Sequence, residues 1–331
     1  MVAAGAGGIA FVFPGQASQR AGMAAALLAE VEGASDLFRQ ASEVLGLDLA
    51  AVCTAGDDAL LTRTDIAQPA LLTTCCAWLG GLRARGVSPG FLAGHSLGEF
   101  SAWVAAGVLE FQEAVRLVRR RGELMETAGR RRPGSMVAVL GLPDDQVREL
   151  CARARTAGVV VAANFNCPGQ VVVSGEGAAL DRVREAAQAA GGKVLALRVS
   201  AAFHSPLMED AALEFAGLVN PLALRDPEIP VVANATAEVV REAAQVREVM
   251  AAQMISPVLW TDSVRRMAAD GVRTFVEVGP GQVLSRLIQR ISAGVRALRV
   301  EKTEEIMSLI QEIQQFRARG PGAQRRGAPR C

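Results

Sequence analysis

Phe91-Leu92-Ala93-Gly94-His95-Ser96-Leu97-Gly98-Glu99 is the stretch from which the fold is read. A short apolar run carries the chain in, and a helical segment over 97–106, stopped at Gly107, carries it out. Between them Gly94, Ser96 and Gly98 have the G-x-S-x-G spacing of a strand–turn–helix elbow. Its glycines permit a sharp turn and close packing, and its serine stands at the tip. The pattern is short and common. A nucleophilic serine also needs a base, backbone donors for an oxyanion and a means of holding the substrate.

On both sides of the elbow, strands and helices alternate. Ile9-Ala10-Phe11-Val12-Phe13 reads as a buried parallel strand, and Pro14-Gly15-Gln16-Ala17-Ser18-Gln19 closes it as a loop. Helices are predicted over 23–31, over 35–45 with Ser35 as N-cap, over the apolar 68–85 and over 111–128. Near residue 130 the texture changes. Strand 136–140, helix 144–157, strand 159–163, a turn-rich link 164–170, strand 171–173, helix 178–190 and strand 194–199 follow in turn. That order is βαββαβ, the ferredoxin-like split βαβ unit. The first texture then resumes with helix 206–218, strand 229–233, two helices around Ser256-Pro257, strand 274–278, a helix, strand 295–300 and helix 303–316. The fold class expected is α/β. An α/β-hydrolase-like large subdomain with a parallel sheet (1–131 and 202–316) carries an inserted ferredoxin-like small subdomain (132–201). The basic Gly/Pro/Arg-rich tail, 317–331, is expected to be disordered.

Composition narrows the class. The 331 residues are 50% apolar and 21% charged, as in soluble globular proteins, and suffice for a large core. The net charge of +1 conceals an asymmetry: five arginines and no acid lie from Arg317 onward, leaving the body at −4. A near-neutral body argues against nucleic-acid binding. The six cysteines show no zinc-like or C-x-x-C spacing and are expected to be reduced, buried thiols of a cytoplasmic protein. Residues 1–8 lack the basic-then-apolar order of a signal peptide, and no apolar run reaches the roughly 20 residues of a membrane helix. With its own Met1 and no neighbouring domain in view, a free-standing soluble protein is expected.

Only His95 and His204 can supply an imidazole base. His95 adjoins Ser96, so its side chain should diverge from the serine at the turn. His204, in Ser200-Ala201-Ala202-Phe203-His204-Ser205-Pro206, lies where the small subdomain hands back to the large one, a place from which it can overhang the elbow. The residues alone allow His204 to be that base or simply a loop residue capping a helix. No acid is placed to complete a triad.

Seven ordered motifs carry a resemblance. They are Gly15-Gln16-Ala17-Ser18-Gln19; Gly94 to Glu99; Arg121-Gly122 with Met125; Asn164-Phe165-Asn166-Cys167-Pro168-Gly169-Gln170; Phe203-His204-Ser205; Gln253 with Ser256-Pro257-Val258-Leu259-Trp260; and Glu277-Val278-Gly279-Pro280-Gly281. Over roughly 9–300 the chain resembles the malonyl-CoA:acyl carrier protein transacylases and, equally, the acyltransferase domains of polyketide synthases.

The resemblance implies a malonyl ester on Ser96 with His204 moving the proton. It implies that a main-chain carbonyl near Gln253 orients the imidazole, which would account for the missing acid. The oxyanion donors it implies are the N–H groups of Gln16 and Leu97; the second also begins a helix, where donors are unpaired and the dipole is positive. Arg121 would grip the free carboxylate of malonate with a planar, two-pronged contact that lysine cannot copy. Its neighbours Arg119 and Arg120 read as a solvated face. Phe203 matches the Phe-His pair associated with malonyl over methylmalonyl selection. Met125 reads as pocket wall or plain helix core, and Gln253 as support for the His204 loop or the pocket. Asn164 and Asn166 read as the site's rim or as turn residues. Cys167 stands where serine is expected and Ala17 where glycine is frequent.

Malonyl-CoA and an acidic acyl carrier protein are therefore the expected partners, with no metal or other cofactor, no nucleic acid and no membrane, and the protein acting as a monomer. Arg130 to Arg132 are candidates to steer the carrier protein. Two other readings compete: a serine acyl hydrolase or thioesterase of similar fold, which would not need Arg121, and a non-catalytic carrier-protein docking module.

Overall fold

The computed structural model describes residues 8–56 and 58–319. Among these, ten strands form two sheets: β1 Ile9–Phe13, β2 Phe91–Gly94, β3 Ser135–Leu140, β4 Val160–Cys167, β5 Gln170–Gly175, β6 Lys193–Ala196, β7 Val231–Val232, β8 Val239–Val240, β9 Thr274–Val278 and β10 Arg296–Val300. The large sheet runs β10-β9-β1-β2-β7-β8, parallel except for the final β7–β8 hairpin. β1, β2 and β9 are buried almost throughout, which is why they read as continuous apolar runs. The small sheet, β4-β5-β3-β6, is antiparallel and has the order of the split βαβ unit.

One face of the small sheet (Val137, Val139, Val171, Val173) packs with the Asp144–Ala154 and Gly177–Ala189 helices in a core of its own. Its other face gives Met136, Ala138, Ala163 and Val172 to the main core. β4 is also stitched to the large unit, because Phe165 N–H donates to Val258 O (2.9 Å) and Val258 N–H to Ala163 O (2.8 Å).

Several boundaries differ from the sequence expectations. Residues 164–167 are not a link: β4 continues through Asn164 to Cys167 with two register shifts, the polar residues being accommodated at the bulges. The helix expected from 35 begins at Ala34, capped by Gly33 at φ 80° rather than by Ser35. The helix expected from Gln68 spans Thr64–Ala84 and contains Pro69. Pro69 has no N–H for Asp65 O, and Arg119 Nη1 donates to that carbonyl instead (3.2 Å). Glu126 accepts from Thr64 N–H (2.8 Å) at the same helix's start, where an acid suits the dipole. Leu49–Ala55 and Asp58–Thr62 are short helices the sequence reading lacks, and β6 stops at Ala196. The last helix, Thr303–Arg319, includes residues 317–319 assigned to the tail; the rest of the tail lies outside the described residues.

Among the described residues no helix is long and apolar enough to cross a membrane. Cys53, Cys75, Cys76, Cys151 and Cys167 are free and buried.

Candidate active site

β1 and β2 are parallel neighbours with Phe13 opposite Gly94, so the loop after one and the elbow after the other emerge side by side. The packing there leaves no room for side chains. A Cβ on Gly94 would lie 1.9 Å from Gly98 C, one on Gly98 2.0 Å from Phe13 O, and one on Gly15 2.4 Å from His95 O. These contacts hold Ser96 at φ 51°, the left-handed turn of an elbow.

Ser96 Oγ is 2.8 Å from Nε2 of His204. Nδ1 of His204 faces two main-chain carbonyls, Gln253 O at 3.1 Å and Ser256 O at 3.0 Å. Two acceptors there fix the proton on Nδ1 and leave Nε2 as acceptor for the serine proton. Burial, the Arg121 charge and the proximity of His95 push the His204 pKa down to about 3, so the imidazole is neutral. His95 turns away, its Nε2 2.8 Å from Asn166 Oδ1 and its ring against Trp260.

The N–H groups around the turn are nearly all engaged. That of His95 donates to Phe13 O, that of Gly98 to His95 O and that of Ser96 to Asn234 Oδ1. The amides of Leu97 and Gln16 have no partner among the described residues; Gln16 follows Gly15, which packs on His95 O, and Leu97 follows Ser96. The Gln16 side chain is held separately by Thr64 Oγ1 (3.4 Å).

Arg121 is only 1% exposed. Of its neighbours, Arg120 is exposed and pairs with Glu123, as a solvated face would, whereas Arg119 is half-buried between Glu123 and the buried Asp65. A Cβ on Gly122 would lie 2.6 Å from Asp65 Cα, so the Phe111–Arg131 and Thr64–Ala84 helices touch backbone to backbone beside it. That approach lets Arg121 Nη1 reach Gln68 Oε1 (2.9 Å). Nη2 donates to Gln253 Oε1 (2.9 Å) and to Ser96 Oγ (3.3 Å), and Nε is buried without a partner. Burial lowers the guanidinium pKa to about 10, opposed by the charge of Glu99, and it remains a cation at neutral pH. The Phe100 ring lies 5.4 Å beneath it.

The remaining expected residues are spread around this centre. Met125 is buried and its sulfur accepts from Gln68 Nε2 (3.4 Å); Phe203 lies in the same apolar cluster. Asn166 reaches His95 rather than Ser96, and Asn164 Oδ1 is buried without a partner. Gln253 contributes twice, through its carbonyl to His204 and its side chain to Arg121. Four participants were absent from the sequence reading of the site. Gln68 and the Ser256 carbonyl are two; Asn234 and Glu99 are the others. A lone buried glutamine inside an apolar helix was an available signal for Gln68. The motif Glu277-Val278-Gly279-Pro280-Gly281 supports from outside. Glu277 caps the Val283–Ile291 helix through Leu284 and Ser285, and Gly279, at φ 133°, packs on Cys75 and the Pro14 ring.

The arrangement comprises a serine with a neutral base, two free backbone donors beside it and a buried cation with an unused donor. That set can form and break an ester of an acyl group bearing a negative charge. Known proteins agree. The acyl transferase domain family matches residues 10–324. A malonyl CoA-acyl carrier protein transacylase of Bacillus subtilis is 40% identical over 309 residues, 93% of this chain and 98% of that protein. The crystal structure of a malonyl-CoA:acyl carrier protein transacylase from Xanthomonas oryzae is 42% identical, with a TM-score of 0.89 over 92% of this chain and 98% of that one. A malonyl-transacylase in complex with its type II PKS acyl carrier protein superposes equally well (TM-score 0.89, 38% identity, 92% and 99% covered).

Proposed function

This chain belongs to the acyl transferase family, and on that premise we propose that it moves a malonyl group from malonyl-CoA to the phosphopantetheine thiol of an acyl carrier protein through an ester on Ser96. His204 Nε2 takes the Ser96 proton as Oγ attacks the thioester carbonyl. The oxyanion forms against the N–H groups of Leu97 and Gln16, each such donor being worth about 3 kcal/mol or more in the transition state. Collapse breaks the C–S bond, and the proton on His204 passes to the departing CoA sulfur. In the second half, His204 takes the carrier thiol's proton, sulfur attacks the ester and Ser96 recovers its proton.

The observation that carries this reading is Arg121: a cation 1% exposed, 3.3 Å from the nucleophile through Nη2, with Nε unpartnered. A buried donor left idle on a charged group is costly, and a carboxylate on the acyl group satisfies it. A hydrolase of simple acyl esters gains nothing from such a group. In this reading Met125 and Phe203 wall the acyl pocket, and Asn166 acts through His95. Both half-reactions exchange acyl groups between sulfur and oxygen with no change of oxidation state, so no resident cofactor or metal is required. The complex of a similar malonyl-transacylase with its carrier protein supports the partner. The proposal places the protein in the cytoplasm as a monomer; its buried, unbridged cysteines suit a reducing compartment. We also take 132–201 as the inserted small subdomain.

Replacing Arg121→Ala tests the reading. Malonyl transfer should fall about 100-fold or more while acetyl-CoA competes better. Retained preference for malonyl-CoA would break it.

A further inference from the structure

Glu99 is buried, next to the elbow, and neither acylates nor titrates in the steps above. One carboxylate oxygen, Oε1, accepts from the main-chain N–H of Asn234 (2.7 Å). Asn234 is itself tied to the elbow: its Oδ1 accepts from Ser96 N–H (2.7 Å) and its Nδ2 donates to Gly94 O (2.6 Å). The other oxygen, Oε2, accepts from Gln253 Nε2, which also donates to Ser96 O (3.0 Å). On its far side Gln253 Oε1 accepts from Arg121 Nη2 (2.9 Å).

Burial lifts the Glu99 pKa to about 7, against the pull of the Asn234 and Gln253 hydrogen bonds and the Arg121 charge. As a carboxylate it can only accept, and the Gln253 amide then lies between it and a group that can only donate. A carboxylate and a carbonyl face its NH2, and a guanidinium faces its oxygen. The chemistry of the two ends admits one orientation of the amide. A neutral residue at 99 removes that constraint. In Glu99→Gln, the acceptor oxygen is claimed by the fixed Asn234 N–H, so an NH2 would face the NH2 of Gln253. Turning Gln253 over relieves that clash but sets its NH2 against Arg121. Either way one buried pair is donor against donor.

We infer that Glu99 is a positioning residue for acyl selection: its carboxylate locks the Gln253 amide so that Oε1 holds the Arg121 guanidinium aimed beside Ser96. The inference rests on the proposed malonyl transfer. It assigns to Glu99 no contact with substrate; its effect reaches the acyl group through Gln253 and Arg121.

The test compares initial rates of acyl-enzyme formation from malonyl-CoA and from acetyl-CoA, read by rapid quench and intact mass. The proteins are the unmodified chain, Glu99→Gln, Arg121→Ala and the Glu99→Gln/Arg121→Ala double variant. Glu99→Gln should lower the malonyl-to-acetyl rate ratio about tenfold, and should leave that ratio unaltered in the Arg121→Ala background. A merely structural role would slow both acyl donors alike. An unchanged or raised ratio in Glu99→Gln, or the same fall in both backgrounds, would overturn the inference. Should Glu99→Gln not fold, Gln253→Met cuts the same link while leaving Glu99 on Asn234, and is held to the same two outcomes. Absence of malonyl labelling in the unmodified chain would overturn the proposed function and this inference together. Malonyl labelling with an unchanged ratio overturns the inference alone.

Discussion

Ser96 and His204, 108 residues apart, meet at 2.8 Å between Oγ and Nε2, and both hold left-handed backbone, φ 51° and 56°. Left-handed φ is uncommon for residues other than glycine and costs roughly 1–2 kcal/mol each. At Ser96 the close contacts of Gly15, Gly94 and Gly98 impose it.

The burial of His204 gives a signed pH dependence. Its pKa is about 3 in the fold and near 6.5 when the chain is unfolded. The unfolded chain therefore takes up a proton that the folded protein refuses. Stability from this residue is full above pH 6.5 and drains as the pH falls toward 3. His204→Gln removes the dependence. Relative to the unmodified protein, the variant should gain about 2 kcal/mol between neutral pH and about pH 5 in urea unfolding. His204 itself contributes no fall in the acylation rate through pH 6.5, because that base is already neutral there; a fall in that range belongs to Glu99, whose pKa burial lifts to about 7.

Arg121→Lys keeps a positive charge and loses the fork. Lysine cannot serve Gln68, Gln253 and an incoming carboxylate with one flat group. Steady-state kinetics should show kcat/KM for malonyl-CoA falling about 10- to 100-fold, less than in Arg121→Ala, with acetyl-CoA little affected.

Gly122→Ala places a Cβ 2.6 Å from Asp65 Cα and 2.7 Å from Thr64 O, backbone atoms that cannot turn aside. The two helices must part, and Arg121 moves from Gln68. Thermal unfolding should report a loss of about 1–3 kcal/mol. Acylation by malonyl-CoA should suffer more than acylation by acetyl-CoA.

Arg131 is exposed and has no ion-pair partner among the described residues, whereas Arg130 lies near Glu126 and Arg132 is tied to Pro206 O. Arg131→Glu should raise KM for an acidic carrier protein about three- to tenfold at low ionic strength, and less in high salt. The rate of Ser96 acylation by malonyl-CoA should not change.

What the sequence made legible follows from range. The elbow, the parallel strands and the split unit are written in local periodicity and glycine spacing, and the fold has them. Asn164 to Cys167 read as part of a turn-rich link because two asparagines stand just ahead of Pro168-Gly169; they are a strand, since bulges and the Val258 contact accommodate them. With only two histidines, His204 is a candidate base, but the residues alone leave it open as a loop residue, and the family resemblance is what implies its role. Glu99 lay inside the opening motif, yet its meaning depends on Asn234 and Gln253, 135 and 154 residues further on. No local pattern carries such a pairing. Gln68 was visible as an oddity, a glutamine in an apolar helix, but its partner Arg121 is 53 residues away.

The most direct measurement is intact and peptide mass spectrometry after exposing the protein to an equal mixture of malonyl-, methylmalonyl- and acetyl-CoA. One malonyl adduct is expected, mapped to Ser96, absent from Ser96→Ala and discharged by a phosphopantetheinylated carrier protein. No adduct, an adduct on another residue, or acetyl in preference to malonyl at Ser96 would contradict the proposed malonyl transfer.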